Sequence, residues 1–191
     1  MRQMTKKSRK TASKAKIRQA LIDLVPVTGF QQLTVSQLCQ KAGINRGTFY
    51  LNYLDKDDLL RQTESDFFAG VQKILGKNEA ASSKELFSKA AILELIVYIK
   101  QNEALVTVFF KSDLAARTEY RLQEIMTEVF SSRHANLTNP AIKQPYASRL
   151  VFGGLATIFT LWVQRGMRES PEEISRILDQ YRRLSPEEII K

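Results

Sequence analysis

Apolar residues recur at helical spacing along most of the chain, and short polar or glycine-containing breaks separate the segments. The first segment runs from Lys14 to Val27, and its apolar stripe consists of Ile17, Ala20, Leu21, Leu24 and Val25. This 3.6-residue periodicity predicts a first helix. Pro26 is expected to kink or loosen the last turn, because proline has no backbone N–H, and Gly29 is expected to close the helix.

Two short helices are predicted next. The pattern Thr34-Val35-Ser36-Gln37 is a capping box, so a second helix should begin at Thr34 and stop at Gly43. Asn45 is a good N-cap residue and predicts a third helix from Arg46 to Tyr53. Two short helices only three residues apart are typical of a helix-turn-helix.

The rest of the chain also reads as helices. Asp55 is predicted to cap a long fourth helix that ends at Gly76 and links two domains. After a polar connector, helices are expected at about residues 85–101, 103–111, 114–134, 143–168 and 171–183. Without sustained strand alternation, the predicted fold class is all-α, with an N-terminal three-helix domain joined to a C-terminal helical domain.

Charge is concentrated at the N-terminus of this 191-residue chain, whose net charge is +9. Residues 1–60 hold 11 Lys and Arg against 4 Asp and Glu, net +7, whereas residues 61–191 hold 18 against 16, net +2. A polyanionic partner is therefore expected for the N-terminal third. We predict a basic flexible arm at 1–10, a helix-turn-helix domain at 11–56 and a C-terminal domain at 57–191.

Several function classes are disfavoured by the sequence. No secretory signal is evident and Cys39 is the one cysteine, so we expect a cytoplasmic protein without disulfides. The most apolar uncharged run, 150–164, is shorter than the roughly 20 apolar residues of a membrane-spanning helix. With the single histidine His134 and no metal-ligand or phosphate-loop motif, no catalytic residue, metal or cofactor is predicted.

The third helix carries the residues that suit an external partner. A two-turn helix fits the major groove of DNA, where the Arg46 guanidinium can reach guanine O6/N7 and Thr48 a base edge. Tyr50 can reach a phosphate, while Gly47 leaves room for close approach. The amide end at Thr34 and the Lys56 ammonium add backbone contacts. The alternative is a packed three-helix unit with a solvated polar face.

The stretch LTVSQLCQKAGINRGTFYLNYLDKDDLL, Leu33 to Leu60, resembles the DNA-binding domain of TetR-family transcriptional regulators. Shared features include Thr opening helix two, Ala-Gly-hydrophobic at the turn, and Arg-Gly-Thr-aromatic-Tyr in the recognition helix. The resemblance implies an all-helical homodimer with a variable C-terminal domain for dimerisation and inducer binding. It also implies DNA contacts at Thr34, Ser36, Arg46, Gly47, Thr48, Tyr50, Asn52 and Lys56. Tyr53, Asp55 and the early Pro26 depart from the family pattern.

The C-terminal half is interpreted from its residues. Residues 150–163 are apolar on every side, as expected for a helix covered by its own domain and by a second subunit. The predicted dimer interface consists of Gly153, Gly154, Ile158, Trp162, Ile174, Ile177, Leu178 and Tyr181. The alternative is an ordinary monomeric core.

Aromatic residues supply the candidate ligand site. An apolar or aromatic inducer is predicted to contact Tyr98, Phe109, Phe110, Phe130, Phe152 and Trp162. The same side chains can instead simply fill the core.

The sequence therefore predicts a homodimeric, sequence-specific DNA-binding regulator, a repressor of a near-palindromic operator that a small molecule relieves. One alternative is a co-regulator or ligand sensor of the same fold that acts through a protein partner. A small helical enzyme is the weakest interpretation, since the chain has no histidine cluster.

Overall fold

The computed structural model describes residues 6–76, 89–111, 113–133, 146–181 and 183, with side chains left undescribed at 6–10, 76, 111, 129–133, 147, 148 and 151. Its helices are α1 Lys6–Thr28, α2 Val35–Ala42, α3 Arg46–Tyr50, α4 Lys56–Gly76, α5 Lys89–Gln101, α6 Glu103–Lys111, α7 Ala115–Arg133, α8 Tyr146–Gln164 and α9 Pro171–Tyr181. No strand occurs within these ranges, so the all-α prediction is confirmed.

The chain divides into two compact units. Unit 1 comprises Met1–Phe67 together with Ser112–Leu114, and unit 2 comprises Phe68–Lys111 and Ala115–Lys191. The division falls inside α4 rather than at its start. The short segment Ser112–Leu114 belongs to unit 1 although the helices before and after it belong to unit 2.

Unit 1 is built around the apolar stripe of α1. This helix packs against α2 and α3, and its Ile17 and Leu21 are fully buried. Leu38 of α2, Phe49 of α3 and Leu59 of α4 are buried completely as well. Because burial of such side chains is the main favourable term in folding, these contacts fix the helix-turn-helix in place.

Unit 2 has an aromatic core. Helix α8 packs against α6 and α7, while α9 packs against α5. The rings of Phe110 and Phe159 meet edge to face with centroids 5.1 Å apart, a favourable geometry for aromatic pairs. The Trp162 indole N–H donates to the Glu169 carbonyl at 3.1 Å, which satisfies its polar atom in a buried setting.

Helix α1 begins earlier than predicted, while its end agrees with the prediction to within one residue. It begins at Lys6 rather than near Lys14, because residues such as Lys, Arg and Ala favour helix without contributing to an apolar stripe. It also continues through Pro26 to Thr28, and Gly29 then closes it with a left-handed φ of 76°. Residues 1–5 of the predicted basic arm lie outside the described residues.

Across the described part of the chain, none of the helices combines the length and apolar character needed to span a membrane.

Candidate nucleic-acid interface

The N-terminus of α2 carries the predicted capping box. The Thr34 hydroxyl accepts the Gln37 backbone N–H at 3.2 Å, and Gln37 Oε1 accepts the Thr34 backbone N–H at 2.8 Å. This reciprocal capping fixes the first turn of α2. Thr34 and Ser36 are both exposed at this end, where the partial positive charge of the helix favours an anion such as phosphate.

A glycine turn connects α2 to α3. Gly43 adopts a left-handed conformation with φ 63° and ψ 42°, and its N–H bonds to the carbonyls of Cys39 and Gln40. The Ile44 N–H also bonds to the Cys39 carbonyl, at 3.0 Å. Since glycine adopts this conformation without a Cβ penalty, the turn fixes the direction in which α3 leaves α2.

Side-chain hydrogen bonds hold both ends of α3. Asn45 Oδ1 accepts from the Thr48 backbone N–H at 2.7 Å and from the Thr48 hydroxyl at 2.9 Å. The Asn52 side-chain amide donates to the Thr48 carbonyl at 2.7 Å, while the Asn52 backbone N–H bonds to Phe49. The side chain thus replaces the next helical bond, and α3 ends at Tyr50 instead of the predicted Tyr53.

Two aromatic residues anchor the inner face of α3. Phe49 is fully buried, Tyr53 nearly so, and their ring centroids lie 5.7 Å apart. From α1, Lys14 Nζ lies 5.3 Å from the Tyr53 ring centroid and donates to Gln62 Oε1 at 3.0 Å. Burial, followed by the Asp66 carboxylate, raises the pKa of the Tyr53 phenol. Tyr53 therefore acts as a neutral core residue.

The predicted DNA-contact residues all lie in unit 1, from Thr34 at the N-cap of α2 to Lys56 at the start of α4. Their surface positions fall into an exposed group and a half-buried group. The exposed group is Thr34, Ser36, Arg46, Gly47 and Tyr50, and the half-buried group is Thr48, Asn52 and Lys56. Thr48 and Asn52 both bond within α3 and its flanks, so they also keep this helix in shape.

Lys56 is engaged within the protein. Its ammonium donates to the carbonyls of Phe30 and Gln31 at 3.0 and 2.7 Å, and lies 5.0 Å from the Phe30 ring centroid. The backbone N–H groups of the same two residues donate to the Asp113 carboxylate at 3.2 and 3.1 Å. Lys56 and Asp113 therefore hold the α1–α2 turn through its carbonyls and its amides. Sequence reasoning missed Asp113, since it is far away along the chain.

The predicted dimer-interface residues do not share one environment. Trp162, Ile174 and Leu178 are buried inside unit 2, whereas Ile177 is 41% exposed. Gly153, Gly154, Ile158 and Tyr181 are half-buried. The Tyr181 ring covers Gly154, and its hydroxyl donates to the Leu150 carbonyl at 3.3 Å.

Four of the predicted ligand-contact residues, Phe109, Phe110, Phe152 and Trp162, are almost completely buried. Tyr98 is half-buried, and its hydroxyl end lies over Gly70, where any Cβ would clash. The Phe130 side chain lies outside the described residues. A ligand role for these residues stays a prediction.

Groups with chemical reactivity are sparse among the described residues. Cys39 is buried in α2, and burial raises the pKa of its thiol, which disfavours the nucleophilic thiolate. No cluster of metal-ligand side chains occurs in the described ranges. His134 lies outside them.

Comparisons with known proteins identify both halves of the chain. Residues 17–63 match the model of bacterial regulatory proteins of the tetR family, and residues 88–183 match that of the transcriptional regulator C-terminal region. No curated protein sequence matches the chain.

Solved structures are similar in fold. A TetR transcriptional regulator from Streptococcus agalactiae 2603V has 17% identity and a TM-score of 0.65, over 92% of this chain and 96% of that one. FadR from Bacillus subtilis, in complex with stearoyl-CoA, has 18% identity and a TM-score of 0.60, over 87% and 95%. FadR from Thermus thermophilus, a repressor in complex with lauroyl-CoA, has 20% identity and a TM-score of 0.56, over 90% and 92%.

The C-terminal family model alone spans half of the chain, and the N-terminal model covers the capped helix-turn-helix described above. Both models describe transcriptional regulators rather than enzymes, in agreement with the sequence-based expectation. The chain belongs to the TetR family of DNA-binding transcriptional regulators.

Proposed function

We propose that the protein is a homodimeric repressor that binds a near-palindromic operator and releases it when a small apolar or aromatic ligand binds the C-terminal domain. The observation that carries the proposal is the exposed surface of α3, where Arg46, Gly47 and Tyr50 are accessible while Phe49 is buried. The net charge of +7 over residues 1–60 supports a polyanionic partner for this face.

Arg46 is the proposed base-reading residue. It lies in the first turn of α3, and its guanidinium has the two parallel donors that match guanine O6 and N7 in the major groove. Tyr50, one turn later and 56% exposed, suits a phosphate contact. Two such helices in a dimer would bind half-sites about 34–36 Å apart.

Gly47 gives independent support for DNA contact by α3. An added Cβ would meet only the Asn45 side-chain oxygen, at 3.4 Å, and Gly47 does not have a left-handed φ. Glycine inside a helix costs roughly 0.5–1 kcal/mol relative to alanine, so the fold gains nothing from it. A partner that approaches the backbone closely gives this glycine a role.

An exposed apolar row on α8 supports the homodimer. Leu150 and Leu161 lie three turns apart on one side of the helix, 61% and 52% exposed, and Gly153 between them has open space beside it. Ile177 of α9 is also exposed. Leu150 and Leu161 therefore replace the buried Trp162 and Leu178 in the proposed interface, because only accessible side chains can contact a second copy.

The ligand is proposed by class. Two solved structures of similar fold contain fatty acyl-CoA, and unit 2 of this chain has an apolar, aromatic interior. A ligand can shift the protein from its operator only through different affinities for the two states. Long-chain acyl-CoA, whose acyl chain is the apolar part that would enter this interior, is therefore the first class to test for release of bound operator.

Selection of duplexes from a random library by the full-length protein tests DNA binding. A palindromic consensus whose affinity falls by roughly 10³–10⁵ between 50 and 200 mM salt is expected, from about six to ten phosphate contacts. If no duplex became enriched, the proposal would be rejected and a protein partner would be favoured.

Arg46→Ala tests base readout on the selected operator. Loss of a bidentate guanine contact should cost about 1–3 kcal/mol and relax the preference at one base position. Arg165→Ala is the matched control, since Arg165 is an exposed arginine of unit 2 in a weak 3.9 Å ion pair with Glu169. An equal loss on every sequence would show that Arg46 contacts the backbone instead.

Leu161→Glu tests the dimer. A charge placed in an apolar contact between two copies would be buried without a partner, so the variant should sediment as a monomer. Gln101→Glu introduces the same charge at an exposed site on α5 and should leave the mass unchanged. A dimeric Leu161→Glu protein would exclude this face.

A further inference from the structure

An exposed leucine lies on the face of α3 that points away from the core. Leu51 is the C-cap of α3, continues its right-handed helical path with φ −72° and ψ −16°, and is 77% exposed. Successive helical residues are rotated by about 100°, so Leu51 points about 200° away from Phe49. Because Phe49 is fully buried, Leu51 points outward from the centre of this face.

The surroundings of Leu51 leave it accessible. Gly47, one turn earlier on the same side, contributes no side chain, and the space where a Cβ would stand is open except for Asn45 Oδ1. Leu54, after the end of α3, is 78% exposed. Leu51 therefore combines an apolar surface with an open approach, in the middle of residues suited to binding bases and phosphates.

We propose that Leu51 is a specificity-determining residue that packs against the 5-methyl group of a thymine in the operator. The inference rests on the proposed DNA-binding function. The thymine methyl is the apolar group that base edges present in the major groove, so an apolar side chain at the centre of the reading face selects it.

The chemistry of the region favours DNA over an apolar protein surface. The two leucines are an apolar patch far smaller than the roughly 800 Å² per partner of a stable protein interface. The exposed Arg46 and the net charge of +7 over residues 1–60 complement phosphate.

Deoxyuridine isolates the methyl group, because it keeps every hydrogen-bonding group of thymine and lacks only the 5-methyl. Burial of one such carbon changes affinity by about fourfold, so substitution in both half-sites of a palindrome should weaken binding by about fifteenfold. The selected operator is synthesised with deoxyuridine at each thymine in turn, symmetrically in both half-sites.

The full-length protein and two variants, Leu51→Ala and Val27→Ala, are titrated with every duplex at one salt concentration. Val27 is the matched control, an exposed aliphatic residue at 86% that lies on α1. One pair of thymines is expected at which deoxyuridine weakens the unchanged protein and Val27→Ala by about fifteenfold. Leu51→Ala should bind the thymine and deoxyuridine duplexes equally. Thermal unfolding should be the same for all three proteins, since both side chains are exposed.

Three results would overturn the role of Leu51 while leaving specific DNA binding intact. They are a selected half-site without thymine, the absence of any deoxyuridine penalty in the unchanged protein, and a penalty that persists in Leu51→Ala. If no duplex is enriched in the selection, the proposed function itself fails, and the thymine contact fails with it.

Discussion

The carboxylate of Asp113 is expected to stabilise the α1–α2 turn of the DNA-binding unit. Its two oxygens accept the backbone N–H groups of Phe30 and Gln31 at 3.2 and 3.1 Å. Asp113→Ala removes both acceptors and leaves the two amides to water. The turn leads directly into Thr34 and the capping box of α2, so its opening would loosen the start of the helix-turn-helix.

The expected loss of stability in Asp113→Ala follows from the strength of the two hydrogen bonds. A hydrogen bond to a charged group contributes about 1.5–3 kcal/mol when well formed. Here both distances are long and Asp113 is exposed, so we expect about 1–3 kcal/mol for the pair rather than twice the single value. Asp113→Asn keeps one oxygen as an acceptor and should lose about half as much.

Amide hydrogen exchange measured by NMR reports the opening of the α1–α2 turn directly. A loss of 1–3 kcal/mol should speed exchange of the Phe30 and Gln31 amides by about 5- to 150-fold if they exchange through local opening. The Gly29 amide is an internal control, because it bonds to the Val25 carbonyl at 2.9 Å within α1. Asp66→Ala is the matched variant, removing an exposed carboxylate of unit 1 that makes a 3.7 Å ion pair with Arg18.

Unchanged exchange at Phe30 and Gln31 in Asp113→Ala would refute the reasoning. A uniform acceleration that includes Gly29 would mean that the variant destabilises the whole unit instead of the turn. The Asp113→Asn variant separates these cases, since it retains the size of the side chain and an acceptor.

Two further predictions concern α3 and the start of α4. Gly47→Ala should keep the stability of the fold or raise it by up to about 1 kcal/mol, yet weaken operator binding. Thermal unfolding measures the stability and titration with operator measures the affinity. An unaltered affinity would contradict close approach of DNA to Gly47. The hydrogen bond from the Leu54 backbone N–H lowers the pKa of the Asp58 carboxyl, and the Gln62 side chain and the Arg61 charge lower this pKa further. The ionised Asp58 carboxylate should therefore stabilise the fold fully above about pH 4, the pKa of aspartate in the unfolded chain. This stabilisation should be lost as the pH falls through the lower pKa of Asp58 in the folded protein, so the stabilities of the protein and of Asp58→Asn should converge in acid unfolding experiments at that pH.

The starts of α2, α3 and α4 could be predicted because their determinants are local. Each cap bonds within three residues along the chain, as Thr34 does to Gln37 and Asn45 to Thr48. Asp55 likewise accepts the Asp58 N–H, at 2.6 Å. The end of α3 was wrong by three residues, since the competition between the Asn52 side chain and the helical bond to Thr48 has no periodic signal.

The remaining features depend on contacts that the sequence pattern does not encode. A helix that is apolar on every side, such as α8, does not reveal which side faces its own unit. Leu150 and Leu161 are exposed while Trp162 is buried, although all three are equally apolar in the sequence. Asp113 bonds to residues more than 80 positions away, and no local pattern links an aspartate between two helices to the turn after α1.

The construction of α3 separates its stability from its specificity. A helix of five residues cannot form alone, because nucleation costs more than one turn of hydrogen bonds returns. Its position therefore depends on the buried Phe49 and on the bonds that Asn45 makes to Thr48. None of these groups lies on the outward side at Gly47 and Leu51, so the outward residues can change with little effect on folding. Substitutions of Gly47 or Leu51 should alter which operator is bound while the unfolding temperature changes little. Substitutions of Phe49 should lower the unfolding temperature and the affinity for the operator together.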